Sequence, residues 1–268
     1  MKKMLEYQHK GTLLRGSVHI PEGTGSFPAV LMLHGFGSNR MGSQDSFVNM
    51  GNRLEAGGFA VFRFDFSGNG ESEGDFFDMT VTKQIEEANA LIHFCCGQSY
   101  VDHKQFHLLG MSLGSVVASM AAGTHPELIK SICLWSPAAV IVDEITQQRT
   151  IQGQSIDVFA TQGYMDIRGR KLGPALLDDV KVLDIYGMAA HYRGLVKIIH
   201  GDADKIAPIR YAEKYMEVYP ESAELVTVTG ANHGWATVAD RAILFDETER
   251  FYLQQVGGDS SGNQTNEQ

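Results

Sequence analysis

The sequence predicts an α/β protein: a mostly parallel, twisted sheet with helices on both faces and a small inserted cap. Three observations predict it. Short β-branched apolar runs alternate with helical patterns along most of the chain, the mark of strands joined by crossover helices. One interval, 137–194, breaks that rhythm and offers no clear core strand. A serine between two glycines, in LLGMSLGSVV, sits where a strand hands over to a helix.

The elements follow in order. LEYQHKGTLLRGSVHIP alternates around a glycine and reads as an antiparallel hairpin. AVLMLH (29–34) is a buried strand. SFVNMGNRLEAGG (46–58) has helical spacing and closes on Gly57-Gly58, a C-cap signal. FAVFRFD (59–65) is a strand again. VTKQIEEANALIHFCC (81–96) sets Ile85, Ala88, Ile92 and Cys95 or Cys96 on one face, so it is an amphipathic helix. A strand over 105–110, a small-residue helix over 113–122 and a strand over 129–136 come next. After the interruption, a strand (195–200), a helix (209–218), a strand (224–229) and a closing helix (236–255) complete the set. Right-handed crossovers bring the C-terminal ends of parallel strands to one edge, where ligands bind in such sheets. A structureless loop as long as 137–194 is improbable, and the segment holds the leucine-rich GPALLDDVKVLD. It is read as a cap over that edge. The expected organisation is a core of residues 1–136 and 195–256, a cap of 137–194, and a polar, disordered tail of 257–268.

Composition excludes several functions. A chain of 268 residues, 43% hydrophobic, suffices for one substantial core. No apolar run approaches the roughly 20 residues that span a bilayer. MKKMLEYQHKG has no apolar stretch behind its lysines, so neither membrane insertion nor a secretory leader is expected. Cys95, Cys96 and Cys133 lack metal-ligand spacing and read as reduced packing residues of a cytoplasmic protein. The net charge of −10 argues against nucleic acid. HGDAD lacks the third oxygen ligand and the glycine of a calcium loop, and FDFSGNGESEG lacks the G-K-[ST] of a phosphate loop. No metal and no nucleotide are expected.

Gly110-Met111-Ser112-Leu113-Gly114 fits G-x-S-x-G between a strand and a small-residue helix. In so tight a turn, side chains at 110 and 114 would collide with the neighbouring strand and helix, and Ser112 would project its hydroxyl from a strained backbone. A serine is a poor nucleophile until a base takes its proton. In elbows of this kind the acid and then the histidine follow in the chain. His233, in TGANHGW, is the one histidine after the last expected strand. KIIHGDADKIAP offers Asp202 and Asp204. The spacing H-G-x-x-D-x-x-x-P recurs in serine hydrolases with such elbows and selects Asp204, leaving Asp202 to brace the turn. Two backbone N–H donors are needed for an oxyanion: that of Leu113, and one from the loop after the first parallel strand, where Gly35 would aim the Phe36 N–H into the site. His34 and His200 read as structural residues, His34 bracing the oxyanion loop.

LHGFGSN, RFDFSGNGESEG, LLGMSLGSVVASMAA, IIHGDADKIAP and GANHGW, in that order, resemble the α/β-hydrolase fold from about Gly16 to Gln255. Within it, RFDFSGNGESEG followed by FFDMTVTKQIEEA, and SPAA opening the interruption, most resemble the bacterial feruloyl (cinnamoyl) esterases. The resemblance implies hydrolysis of hydroxycinnamate esters, with Ser112, Asp204 and His233 as the triad, Phe36 and Leu113 as oxyanion donors, and no cofactor. Where that group often carries His and Gln or Gly around the serine, this chain has Met111 and Leu113, which makes the acyl pocket floor more apolar. Cap residues match loosely; Asp143, Gln147 and Tyr164 are the candidates for contacting a phenolic acyl group. The rivals are an aliphatic or monoacylglycerol-type esterase, an acyl-peptidase or thioesterase, and a non-catalytic binding protein on a hydrolase scaffold. The expected partner is a small-molecule ester; a homodimer through the cap or the sheet edge stays open.

Overall fold

In the computed structural model, which describes residues 1–257, the chain begins with a hairpin, β1 (Lys2–His9) and β2 (Thr12–His19). Lys10 and Gly11 turn it, both at positive φ. Then come β3 (Phe27–Leu33), α1 (Ser46–Ala56), β4 (Ala60–Phe64), α2 (Val81–Cys96), β5 (Val101–Met111), α3 (Leu113–Thr124) and β6 (Ser131–Trp135). Residues 137–194 hold α4 (Val140–Asp143), a π-helical turn (Glu144–Gln148), β7 (Thr150–Ile151), β8 (Gln154–Ser155), α5 (Val158–Gln162), β9 (Met165–Ile167), β10 (Arg170–Leu172), α6 (Ala175–Lys181) and α7 (Ile185–Ala189). β11 (Leu195–Gly201), α8 (Arg210–Val218), β12 (Ala223–Val228) and α9 (Val238–Gly257) close the chain. The tail expected over 257–268 lies, from residue 258 on, outside the described residues.

The main sheet has the order β1-β2-β4-β3-β5-β6-β11-β12. β1, β2 and β4 pair antiparallel and the rest parallel. No strand of 137–194 joins it; β7–β8 and β9–β10 are separate hairpins. Alternation along β3 feeds two cores. Ala29, Leu31 and Leu33 pack with α2 and α3 residues such as Leu91 and Val117, while Val30 and Met32 pack with Leu54 of α1 and Leu244 of α9. Full burial of both faces is why these strands read as continuous apolar runs. Among the described residues, no helix is long and apolar enough to cross a membrane. All three cysteines carry free thiols, Cys95 and Cys133 buried.

Two of the staples that hold residues 137–194 to the rest come from Asp179 and Arg170. Asp179 of α6 accepts the N–H groups of Val81 (2.8 Å) and Thr82 (3.2 Å), capping the start of α2 from across the molecule. Arg170 of β10 donates to the Gly37 carbonyl and to Asn69 Oδ1 (3.1 Å), with its guanidinium 4.0 Å over the Phe76 ring.

Three buried histidines are held neutral. Arg63 donates to His19 Nε2 (2.9 Å), which must therefore be an acceptor. Burial, then the charge of Arg63, lowers the His19 pKa to about 4. Burial likewise lowers His107 to about 3, and lowers His34. His19 and His107 stay neutral in the folded chain while their unfolded counterparts, at about 6.5, take up a proton. The stability these two contribute is therefore full above about pH 6.5 and falls as pH drops towards 4, with a slope near two protons at about pH 5.5. Urea unfolding at pH 7.0 and 5.5 checks this: equal stability at the two values would contradict it, and His19→Gln should flatten the dependence.

Candidate functional site

The glycines flanking Ser112 are enforced by their neighbours. A Cβ on Gly110 would strike the Gly114 carbonyl, and one on Gly114 would strike the Leu33 and His34 carbonyls. Between them Ser112 is held at φ 58°, ψ −121°, a conformation L-residues avoid. The strain is balanced by a dense set of bonds. The Ser112 N–H donates to the Trp135 carbonyl (2.8 Å), and the Ser112 carbonyl accepts from Ser115 N (3.0 Å) and Ala138 N (3.2 Å). The Ser115 hydroxyl ties the turn to Gly110 O (2.7 Å) and Trp135 O (2.9 Å).

Two loops from the same sheet edge meet this serine. His233 Nε2 lies 2.9 Å from Ser112 Oγ, and its Nδ1 lies 2.7 Å from Asp204 Oδ2. Asp204 Oδ1 accepts the N–H groups of Ile206 (2.9 Å) and Ala207 (2.8 Å). His200 Nε2 donates to the Ala207 carbonyl (2.7 Å) and reaches Asp204 Oδ2 at 3.4 Å. Burial alone would raise the Asp204 pKa; the bonds from His200 and His233 and from the Ala207 N–H outweigh it and hold the carboxyl well below the usual range. Asp202 instead accepts the Gly230 N–H (2.7 Å), while Ala203 N donates to Ala231 O (3.1 Å). These bonds lock the Asp204 loop to the His233 loop.

The loop after β3 supplies the other side. A Cβ on Gly35 would sit 3.0 Å from Ser112 Cβ and 3.1 Å from the Met111 carbonyl oxygen, so any side chain here would push the elbow by a few tenths of an ångström. His34 is buried; Phe66 N donates to its Nε2 (3.1 Å), which leaves the ring proton on Nδ1, donated to the Gly35 carbonyl (2.9 Å). Ser38 N holds the same carbonyl (3.1 Å). In a trans peptide the C=O and the next N–H point oppositely, so fixing Gly35 O fixes the direction of the Phe36 N–H. Among the described residues that N–H has no acceptor. Leu113 N, the first of α3, precedes intrahelical bonding. Two such donors beside a nucleophile can hold a developing oxyanion. His34→Ala should lower kcat on the order of 10²-fold with little change in KM. Steady-state rates check it; a kcat within twofold of the parent would show that His34 does not position this loop.

Two spaces meet at Ser112. A cleft of about 490 Å³ is lined by Met111, His233, Trp235, Gln44, Gln152 and Arg168, among others. One wall is the loop before α1, where Gln44 and Asp45 have positive φ. Arg241 of α9 pins that wall through the carbonyl (3.0 Å) and side-chain oxygen (2.7 Å) of Gln44 while also reaching the Trp235 carbonyl (3.3 Å). A smaller apolar slot of about 30 Å³ runs between Phe36, Leu113, Val140, Ile141 and Ile151, with Glu144 and Gln152 as its polar members.

The structure thus brings together Ser112, Asp204, His233, Phe36, Leu113 and Met111. It does not bring Asp143, Gln147 or Tyr164 to either space. Asp143 accepts the Tyr211 hydroxyl (2.6 Å) and the Gln147 amide (3.0 Å), bracing α4 against α8, and Tyr164 packs under Lys171, 4.8 Å away. Sequence reasoning missed Glu144, Gln152 and Ile206 as lining residues, and did not assign Arg168 to the cleft. Glu144 was one position from Asp143, but a π-helical turn sets which of the two faces inward, and no periodicity in so short a helix shows it.

A family model described as alpha/beta hydrolase fold matches residues 28–160. Est1E from Butyrivibrio proteoclasticus, solved with ferulic acid bound, is similar with a TM-score of 0.86 at 24% identity, over 94% of this chain and 99% of that one. An uncharacterized 31.7 kDa protein of Escherichia coli, from the traX-finO intergenic region, is 32% identical over 125 residues, 46% of this chain. The match spans 43% of that relative's own length. Human monoacylglycerol lipase ABHD6 is 28% identical over 117 residues, 43% of this chain and 32% of that protein. The chain has the α/β-hydrolase fold.

Proposed function

We propose that this protein hydrolyses carboxylic esters through an acyl-enzyme on Ser112. The observation that carries the reading is the unbroken relay from Ser112 Oγ through His233 (2.9 Å) to Asp204 (2.7 Å) on a strained elbow. His233 Nε2 takes the Ser112 proton as Oγ attacks the ester carbonyl, and Asp204 holds the imidazolium. The N–H groups of Phe36 and Leu113 receive the oxyanion. His233 then returns the proton to the leaving alcohol oxygen, and a water activated by the same nitrogen releases the acid.

This proton path assigns the two spaces. The leaving oxygen must meet His233, which lines the cleft and not the slot. The alcohol half therefore occupies the cleft and the acyl half enters the slot beside Leu113. A hydroxycinnamoyl acyl group is the reading that the sequence resemblance supports. A short aliphatic acyl group is a second reading, favoured by the slot, whose 30 Å³ is apolar and holds about two waters.

Initial rates on methyl ferulate and on a short-chain monoacylglycerol, side by side with a fluorophosphonate probe, test both. Ferulate cleavage with little glyceride turnover supports the hydroxycinnamate reading, and requires the slot to widen. The reverse supports the aliphatic one. The absence of both turnover and Ser112 labelling would overturn ester hydrolysis itself.

A further inference from the structure

The cleft assigned to the alcohol half contains a cation with no partner. None of the residues lining the cleft is an aspartate or glutamate, in a chain that has 32 of them and a net charge of −10. Arg168 is the one arginine or lysine there. Among the described residues it makes no hydrogen bond or ion pair. Other arginines are spent on carboxylates: Arg40 on Asp65 and Glu71, Arg53 on Asp246 and Glu249, Arg149 on Asp157.

Its backbone position makes the choice of residue conspicuous. Arg168 and Gly169 form the two-residue turn between β9 and β10, at φ 54° and 82°. Such a turn prefers Asn or Gly at its first position, and an arginine there is held against preference. The hairpin is also braced. Asp166 Oδ1 accepts the Gly169 N–H (2.8 Å), and Arg170, two residues on, is bonded to Gly37 and Asn69. The Arg168 side chain thus rises from a fixed hairpin into a space lined by the neutral side chains of Ser38, Asn39, Ser43, Gln44 and Gln152 and by no carboxylate. A guanidinium with its donors unused, in a pocket without a competing carboxylate, suits a planar anion.

We infer that Arg168 sets substrate specificity by recognising a carboxylate on the alcohol half of the ester. The inference rests on the ester hydrolase reading above. Because Arg168 is exposed, the effect is moderate and screened by salt.

The test uses the full chain and a near-isosteric pair of esters: the n-propyl and the 2-carboxyethyl ester of whichever acyl group is turned over faster. The parent should prefer the carboxyethyl ester in kcat/KM. In R168N, which suits the turn better than arginine, the ratio of carboxyethyl to propyl kcat/KM should fall about tenfold. R168K should retain most of the ratio, and raising salt from about 0.05 to about 0.5 M should erode it in the parent. A ratio that does not change in R168N overturns the inference while leaving ester hydrolysis standing. Cleavage of neither ester overturns both.

Discussion

Ser112→Ala is expected to fold as the parent does and to lose on the order of 10⁴-fold or more in kcat. The first half follows from how little the hydroxyl does for the fold. The elbow is held by backbone bonds of Ser112 to Trp135, Ser115 and Ala138, and by the Ser115 hydroxyl, none of which uses Oγ. Alanine keeps the Cβ that the strained backbone already accommodates. The second half follows from chemistry: without Oγ, His233 can activate only water, and no acyl-enzyme forms. Steady-state rates with a thermal melt decide it. A variant that melts with the parent and keeps a rate within tenfold would place the nucleophile elsewhere.

Asp204→Asn is expected to cost about 10³–10⁴-fold in kcat, nearly as much, through a change of one proton's position. In the parent, Oδ1 is committed to the N–H groups of Ile206 and Ala207 and Oδ2 faces His233 Nδ1. In the asparagine variant the two N–H donors still demand an oxygen, so the amide nitrogen must face His233. It can only donate, which leaves Nδ1 as acceptor and moves the ring proton to Nε2. Nε2 would then donate to Ser112 Oγ and could not take its proton. The kcat of Asp204→Asn against pH, beside that of Ser112→Ala, measures this; a loss below tenfold would mean that Asp204 does not set the tautomer. In the parent, the depressed Asp204 carboxyl contributes stability fully above about pH 5 and loses it as pH falls through about 4 and below. That contribution is absent in the variant.

The elbow was legible because its constraints are local. Gly110 and Gly114 are excluded from bearing side chains by atoms within one turn and one adjoining strand, and that demand is written as a short motif. The strands of the two cores were legible for a related reason: both faces are buried, so β-branched runs stand out against the polar face of α2. The acid was harder. Asp202 and Asp204 differ in which loop N–H groups each one meets, a tertiary matter that spacing could only suggest. The residues lining the slot and cleft from 137–194 were not legible. Glu144 depends on a π-helical turn, Gln152 on a hairpin with positive φ, and Arg168 on a hairpin anchored by Arg170 to loops more than a hundred residues away in the chain. The chain of polar contacts from the Met1 ammonium through Glu55 of α1 and the neutral His19 of β2 to Arg63 of β4 joins three elements and has no local trace either.

The Asp179 and Arg170 staples of residues 137–194 bear on how such a segment can be exchanged between proteins. Asp179 completes a helix that belongs to the core, and Arg170 holds the carbonyl of Gly37, one residue past the N–H that would face the oxyanion. A graft that replaced 137–194 alone would leave the Val81 and Thr82 N–H groups at the start of α2 without their carboxylate and the Gly37 carbonyl without its arginine. Portability therefore belongs to a discontinuous unit: the segment together with Gly37, Asn69, Phe76 and Thr80 to Thr82. Recombination at the segment's ends alone would exchange substrate preference at the expense of turnover.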